Sequence, residues 1–520
     1  MGSTTAVVRQ AAARGAAIRG RHCRSDIALL QSNRGVHGAY RRRDEPGTTV
    51  PLARRAAAVK VGGFVSLQRG GGGVERPEMN GGRRGLKLGL ATGTDHGRVT
   101  HSAAPSASRA WGAGRARVLI AALHYHPDQP GGSGKLAFDE ATFLASRGHE
   151  VWMLALDMTG GNPEYAFRDG LHVLQYSVPP LRWLDPRRAF VHQQEARRTL
   201  ARHVHDPFDV LHGHTPLQYW GAVEAVAARR WCYSVHSLVR LELLAGSRGR
   251  SPLQRWKAHL TGRLAGRIER RCLEASDCVT ADSEFTRRLL RQHYGSKLAG
   301  PVKIVPGWVD MSRFQIVVER GAEKQRLGWP TREPVLFTLR RLVPRMGLDN
   351  LLHAAREVAD RGLEFTLIIG GDGLLRGELE ALAHVLGLGS RVRFLGRVPG
   401  DALPAMFGAA DAFVLPTAEL EGFGLIILEA LACGRPVLAT PIGAIPEIIA
   451  PLEPTWLSTD GSAGAIADLL ASFLTGALPA HNPWELRAGI EKRYSSSRIL
   501  SELEALLLRG VDQSTRRESG

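Results

Sequence analysis

Short apolar runs, each closed by a polar residue, a glycine or a proline and followed by a helical stretch, recur along this chain and constrain its fold more than any other feature. Arg117-Val118-Leu119-Ile120-Ala121-Ala122-Leu123 is the first, and Asp209 to His214, Trp231 to His236, Cys278 to Ser283 and Val302 to Pro306 follow it. Runs this short and this apolar suit strands buried on both faces, as in parallel sheets covered by crossover helices. After a stretch rich in Pro, Gly and charge, the alternation restarts at Val335-Leu336-Phe337-Thr338-Leu339. It continues through Leu367 to Gly373, Val392 to Gly396, Phe413 to Pro416 and Pro436 to Thr440. The pattern predicts an α/β protein with two Rossmann-like domains facing across a cleft. The first domain is placed at residues 116–310, a linker at 311–333 and the second domain at 334–480, with helices at 481–510 crossing back to the first.

Charge has to be located before it is interpreted. The 520 residues carry a formal net charge of +18. Residues 1–115 hold 20 Lys and Arg against 6 Asp and Glu, which leaves 48 against 44 for the remainder. The folded part is therefore near balance, and nucleic acid is not an expected partner. The basic segment 1–115, with Arg41-Arg42-Arg43 and Gly70 to Gly73, shows no periodic apolar face. It reads as a disordered extension, an organelle-targeting segment or sequence ahead of the true start. Cys23, Cys232, Cys272, Cys278 and Cys433 form no CxxC pair, and no His cluster has zinc spacing, so no metal is expected and the thiols suit a reducing compartment. No apolar run approaches ~18 residues and no secretory signal is present, which points to a cytoplasmic location.

Two stretches suggest chemistry. Pro130-Gly131-Gly132-Ser133-Gly134-Lys135 links the first apolar run to a helix, where backbone N–H groups can meet a phosphate, although a plain turn explains it as well and the spacing is not a Walker loop. Glu421-Gly422-Phe423-Gly424 joins a buried strand to the helix that contains Glu429. Gly422 and Gly424 would leave free N–H groups at the helix start, and the two acids could hold the two ends of a nucleotide sugar. His214 and His236 both fall at strand exits, where doubly wound sheets collect ligands.

From Arg117 to about Glu504 the sequence resembles family 4 of the retaining glycosyltransferases, which have the GT-B fold. The matches run in order. They are Gly131-Gly132 with Gly148-His149-Glu150-Val151, Asp209 to His214, Pro306-Gly307-Trp308-Val309-Asp310, Arg341 with Arg345, Gly370-Gly371-Asp372-Gly373, Glu421 to Glu429, and Gly443-Ala444-Ile445-Pro446-Glu447. The resemblance implies that Gly132 lies against the donor diphosphate, His214 beside the transferred sugar, and Arg341 and Arg345 on the leaving diphosphate. It further implies that Glu421 touches donor-sugar hydroxyls and Glu429 the ribose. The implied reaction moves a hexose-type sugar from a nucleotide-diphosphate sugar to a glycan, lipid or small-molecule acceptor. The anomeric configuration is retained, and neither metal nor cofactor takes part.

Arg345 stands where the family usually has Lys, the Pro306 to Asp310 hinge is altered, and Arg340 adds a cation that a structural role can explain. Another GT-B enzyme, an epimerase or phosphorylase, and a catalytically silent GT-B binding protein are the rival readings. Within 253–271, Leu253, Trp256, Leu260, Leu264 and Ile268 form a helical stripe among basic residues. That stripe fits either a core-facing helix or peripheral contact with an anionic membrane.

Overall fold

The computed structural model describes residues 115–511 except 127, 129–130, 159, 163, 180–186, 248–250 and 299. The expectations for the segment before residue 115 lie outside the described residues. The first sheet contains β1 (Arg117–Ala121), β2 (Glu150–Leu156), β3 (Tyr165–Arg168), β4 (Leu171–Tyr176), β5 (Phe208–Gly213), β6 (Ala228–Val235), β7 (Cys278–Ala281) and β8 (Lys303–Ile304). The second contains β9 (Val335–Leu339), β10 (Thr366–Gly370), β11 (Val392–Gly396), β12 (Ala412–Leu415) and β13 (Val437–Ala439).

Strand order is what places the site. The first sheet runs β3-β4-β2-β1-β5-β6-β7-β8 and the second β11-β10-β9-β12-β13. Pairing is parallel except between β3 and β4. In each sheet the first strand lies inside and the chain moves away on both sides of it, so a crevice opens where the order reverses. In the first sheet that point lies between β1 and β5, whose loops carry Gly131-Gly132 and His214. In the second it lies between β9 and β12, whose loops carry Arg340 to Arg345 and Glu421. Apolar runs alone do not reveal the β3–β4 hairpin, because Tyr165–Arg168 alternates exposed and half-buried residues at the sheet edge.

The stretch 311–333, expected as a linker, is built into the second half instead. Phe314 and Trp329 are buried in its core, and Lys324 is buried with its Nζ 2.6 Å from Asp411. Its polar sequence reads as a linker because the charges of a short helix, Arg320–Arg326, are half-buried or paired inside, with only Arg326 exposed.

The chain crosses between the halves twice, side by side: Val309 donates its N–H to Tyr494 O at 2.9 Å, and Ser496 donates to Val309 O at 3.1 Å. The last helix, Ser496–Leu507, buries Ile499, Leu500, Leu503 and Leu507 among Leu136, Ala137 and Leu144 of the first half. Glu504 on that helix meets His149 Nε2 at 2.9 Å. Among the described residues, no helix is long and apolar enough to cross a membrane.

Candidate active site

The lip on the second half is the loop from Pro416 to Gly424, followed by the helix Leu425–Ala432. A Cβ on Gly422 would stand 2.2 Å from the carbonyl oxygen of His236 in the first half, so only glycine permits this approach. The Gly422 carbonyl accepts from Ser283 Oγ at 2.6 Å and from Thr286 Oγ1 at 3.3 Å. Nearby, Glu447 accepts from the backbone N–H of Glu284 at 2.8 Å and of Phe285 at 2.7 Å. A carboxylate of one half thus caps a helix N-terminus of the other, where charge and free N–H groups favour it.

Glu421 is held rather than free. Its Oε2 lies 2.5 Å from Arg340 Nη2 and 3.3 Å from Thr417 Oγ1, while Oε1 takes part in no hydrogen bond among the described residues. Arg340, which the sequence leaves as a bystander, is therefore the cation that orients this acid. The strand ends at Leu339, so Arg340 turns inward. Gly371, at φ 114°, backs the turn, and a Cβ there would stand 1.9 Å from Arg340 O. Arg341 is exposed, and its side chain makes no hydrogen bond among the described residues. Arg345 donates Nη1–H to Leu420 O at 2.9 Å and lies 3.5 Å from Glu242 of the first half. Burial first, then the charge of Arg341, lower its pKa, against the pull of Glu242, so the two cations expected together share one neighbourhood. Leu420 sits at φ 53°, a strained left-handed conformation that presents its carbonyl to Arg345.

Across the cleft, Gly131 precedes the helix Gly132–Ser146. The side chain of Leu425 lies 3.5 Å from where a Gly132 Cβ would be, so the Gly-Gly turn faces the start of the Glu429 helix. Lys135 pairs with Asp139 at 2.6 Å, and Trp308 donates Nε1–H to the same carboxylate at 3.1 Å. The Glu429 carboxylate makes no hydrogen bond among the described residues. Burial raises its pKa to about 7, against the opposing charges of Lys135 and Arg313. The Phe423 ring is turned away from the cleft, buried at 5.9 Å from the Tyr494 ring, so this residue offers a ligand its backbone only. Gly424 opens the helix in a left-handed conformation at φ 90°.

His214 is also less accessible than its place at a strand exit suggests. Its Nε2 meets Glu140 Oε2 at 2.9 Å and its Nδ1 meets His236 Nε2 at 3.0 Å. Glu140 Oε1 meets His212 Nδ1 at 2.7 Å, and His212 Nε2 meets Ser234 Oγ at 2.7 Å. Although desolvation opposes it, the two imidazoles hold Glu140 ionised, at about 2. Burial followed by the neighbouring His212 pushes His214 down to about 4, so its ring is neutral. With Glu140 ionised, His212 Nδ1–H and His214 Nε2–H both donate to it, and His214 Nδ1 accepts from His236 Nε2–H.

His236 Nδ1 then faces Asp282 Oδ2 at 3.5 Å, and burial raises the Asp282 pKa. His236 is the most exposed member of this network, at 20%. Glu140, His212 and His214 have ligand atoms within 4.8 Å of one another, a set that suits a cation such as zinc, but these atoms are already bonded to each other. Sequence alone misses Glu140, a buried acid on a helix with no motif around it. It also misses Lys135, which the Gly-rich loop hides.

The comparisons with known proteins agree with this geometry. Residues 130–313 match the family described as Glycosyltransferase Family 4, and residues 319–490 match Glycosyl transferases group 1. A D-inositol 3-phosphate glycosyltransferase from Actinosynnema mirum is 30% identical over 361 residues, covering 64% of this chain and 82% of that protein. A GDP-mannose-dependent alpha-(1-6)-phosphatidylinositol monomannoside mannosyltransferase from Mycobacterium tuberculosis is 35% identical over 221 residues, 41% of this chain and 56% of its own length. Among solved structures, Anabaena HepE in complex with UDP-glucose has a TM-score of 0.57 at 21% identity, with 75% of this chain and 99% of that one covered. Two parallel sheets meeting at their switch points define the class, a glycosyltransferase of GT-B type. Within that class the chain belongs to glycosyltransferase family 4, the glycosyl transferases group 1.

Two outcomes follow from the geometry. Gly422→Ala should keep the far-UV circular dichroism of the parent while raising the radius of gyration in solution scattering, because the new methyl forces the halves apart; an unchanged radius would refute the close contact. The folded His214 pKa lies below the unfolded 6.5, so stability is full above pH 6.5 and is lost as pH falls toward 4. His214→Gln, which keeps a donor for Glu140 and an acceptor for His236, should flatten that loss by up to ~1.4 kcal/mol per pH unit in urea titrations. Equal pH slopes in the two proteins would contradict it.

Proposed function

We propose that this glycosyltransferase moves a hexose-type sugar from a nucleotide-diphosphate sugar, with retention at the anomeric carbon and without a metal ion. The observation that carries the reading is Glu429, a carboxylate with no protein hydrogen bond, facing Lys135 across the cleft from the Gly131-Gly132 turn. A half-buried acid whose carboxylate stays open to the cleft is completed by a group that donates to it, and a ribose diol supplies two donors. The diphosphate then lies between Gly132 and the cations Arg341 and Arg345, which stabilise charge as it develops on the leaving group. Glu421 Oε1, the oxygen that Arg340 leaves free, addresses hydroxyls of the transferred sugar. Among the described residues no side chain presents itself as a nucleophile on the donor face, so the departing phosphate takes the acceptor's proton in a front-face displacement. His214, neutral and fixed by Glu140, acts by position, and closure of the two halves excludes water.

We further propose a phosphoinositol-type or glycolipid acceptor reached at a membrane surface. The names of the relatives specify inositol 3-phosphate and phosphatidylinositol monomannoside. The helix Pro252–Glu274 supports a lipid-facing role, because its stripe divides in two. Ile268 is buried at 3%, whereas Leu253, Trp256 and Leu260 are exposed at 61%, 62% and 48%. Arg255, Lys257 and Arg263 interleave them, the pairing an anionic bilayer surface favours.

Arg341→Ala and Glu421→Gln should each lower turnover by ~10²–10³ with a nucleotide-sugar panel while circular dichroism stays unchanged. Proton NMR should show product with the donor's anomeric configuration, and added EDTA should leave the rate unchanged. An inverted product, or near-normal turnover in both variants, would overturn the assignment. In flotation with anionic vesicles the full chain should rise with lipid, and the combined Leu253→Ser, Trp256→Ser and Leu260→Ser variant should lose most of that fraction. Equal flotation rejects the membrane face.

A further inference from the structure

The helix Leu425–Ala432 begins at the cleft and, about 12 Å further along its axis, ends at a second concavity. This cavity, of about 500 Å³, shares no residue with the donor cleft. Its floor is Arg435, its flanks are Arg320 and His481, and its apolar side is Val317, Val318 and Trp484.

Arg435 is 3% exposed, and its one side-chain hydrogen bond among the described residues is Nε–H to Cys433 O at 3.2 Å. The two terminal nitrogens of its guanidinium have no acceptor among the described residues. Asp411, the acid in this wall, is already occupied: it accepts from Lys324 Nζ at 2.6 Å and from Val335 N–H at 2.7 Å, and it also pairs with Arg320. The wall therefore carries an excess of positive charge around a guanidinium whose stem is buried and whose terminal nitrogens open onto the cavity, with Asp411 shared among three cations. Such a group is costly unless an anion completes it. Consistently, burial and then the charge of Arg320 bring the Arg435 pKa down to about 10, and burial together with both arginines lowers that of His481, whose neutral ring can still donate a hydrogen bond.

The pocket is preformed. His481 is set edge-on against Trp456 at 5.7 Å. Arg487 ties Met311 O at 2.6 Å and Ala432 O at 2.8 Å, and Val317 packs over Gly408 where a Cβ would come within 2.2 Å. Opposite the charge, Val318 is 73% and Trp484 60% exposed, which gives an apolar surface beside a buried cation.

We propose that this pocket is a second ligand site, which takes an oxyanion, phosphate or carboxylate, carried on an apolar or aromatic stem. The terminal nitrogens of Arg435 hold the oxyanion in a fork, His481 adds a hydrogen bond, and the stem lies against Trp484 and Val318.

Phenyl phosphate is a suitable probe. The full chain, labelled with fluorotryptophan and saturated with UDP to occupy the donor cleft, is followed by fluorine NMR, with the Trp484 line assigned through Trp484→Phe. Phenyl phosphate and benzoate should shift that line, and benzyl alcohol, the same ring without charge, should not. Arg435→Gln should weaken phenyl phosphate by roughly tenfold or more, the value of a charge-assisted fork. Because a buried arginine can be needed for folding, Val318→Asp at an exposed position is the second variant, and repulsion should weaken the probe by roughly threefold to tenfold. Equal affinity in the parent and Val318→Asp, or benzyl alcohol shifting the line as strongly as phenyl phosphate, would overturn the site. The readout is local to Trp484 and needs no sugar transfer, so it stands or fails separately from the proposed reaction.

Discussion

The contact between Gly422 and the backbone of His236 is the constraint on which the rest of the cleft depends. It brings a loop at one switch point onto a strand exit at the other, and everything else in the site is measured from it. The contact is polar and small: two hydroxyls on one carbonyl, and one carboxylate on a helix N-terminus. Interactions of that kind contribute a few kcal/mol in total, enough to define a closed geometry and little enough to let it open for exchange of substrate and product. A large apolar seam would fix the halves together; at the lip the apolar contact is mainly Leu425 against Gly132 and Gly307, and the larger apolar packing between the halves runs along the last helix, Ser496–Leu507.

Within that frame the two acids differ because their neighbours differ. Arg340 is buried, and a buried guanidinium without a counter-ion is several kcal/mol uphill, so Glu421 is held in place by the need to neutralise it. Glu429 faces a lysine whose charge Asp139 already takes, so no side chain among the described residues hydrogen-bonds its carboxylate. One acid is thus an oriented wall with a single free oxygen and the other an open acceptor. The histidines extend the same logic. Glu140 fixes the proton on each ring of His212 and His214, and the network runs on through His236 to Asp282, the end nearest the cleft.

Much of the fold was legible because parallel strands buried on both faces leave apolar runs that no other architecture needs at that spacing. Gly422 and Gly371 stood out as motif glycines, but the backbone contacts that exclude every other residue there, with His236 O and Arg340 O, have no sequence signature. Partnerships across long separations were not legible either. Arg340 and Arg341 are adjacent and chemically alike, and only the end of β9 at Leu339 decides which one turns in toward Glu421. The pairing of Glu140 with His214, 74 residues apart, has no local signature. The stripe on Pro252–Glu274 is periodic throughout, and periodicity cannot say that its first half faces solvent while its last turns face the core. The polar composition of 311–333 concealed Phe314, Trp329 and Lys324, which bind that stretch to the second half.

The position of the second pocket relative to the two crossovers carries a mechanical consequence. One wall, Val317 and Val318, follows the crossover at Val309 by a few residues, and another, Pro483 and Trp484, begins the helix that leads to the crossover at Tyr494 and Ser496. These are the two strands of chain that must bend together when the halves separate, because each accepts a backbone hydrogen bond from the other. An anion bridging Arg435 to both walls would add contacts to the segments that flank the hinge and none to the cleft itself. Its binding energy could favour closed over open only to the extent that the walls move in opening, which is the limit that linkage sets on any such ligand. The pocket therefore couples to the reaction through the hinge or not at all, since it has no residue in common with the donor site.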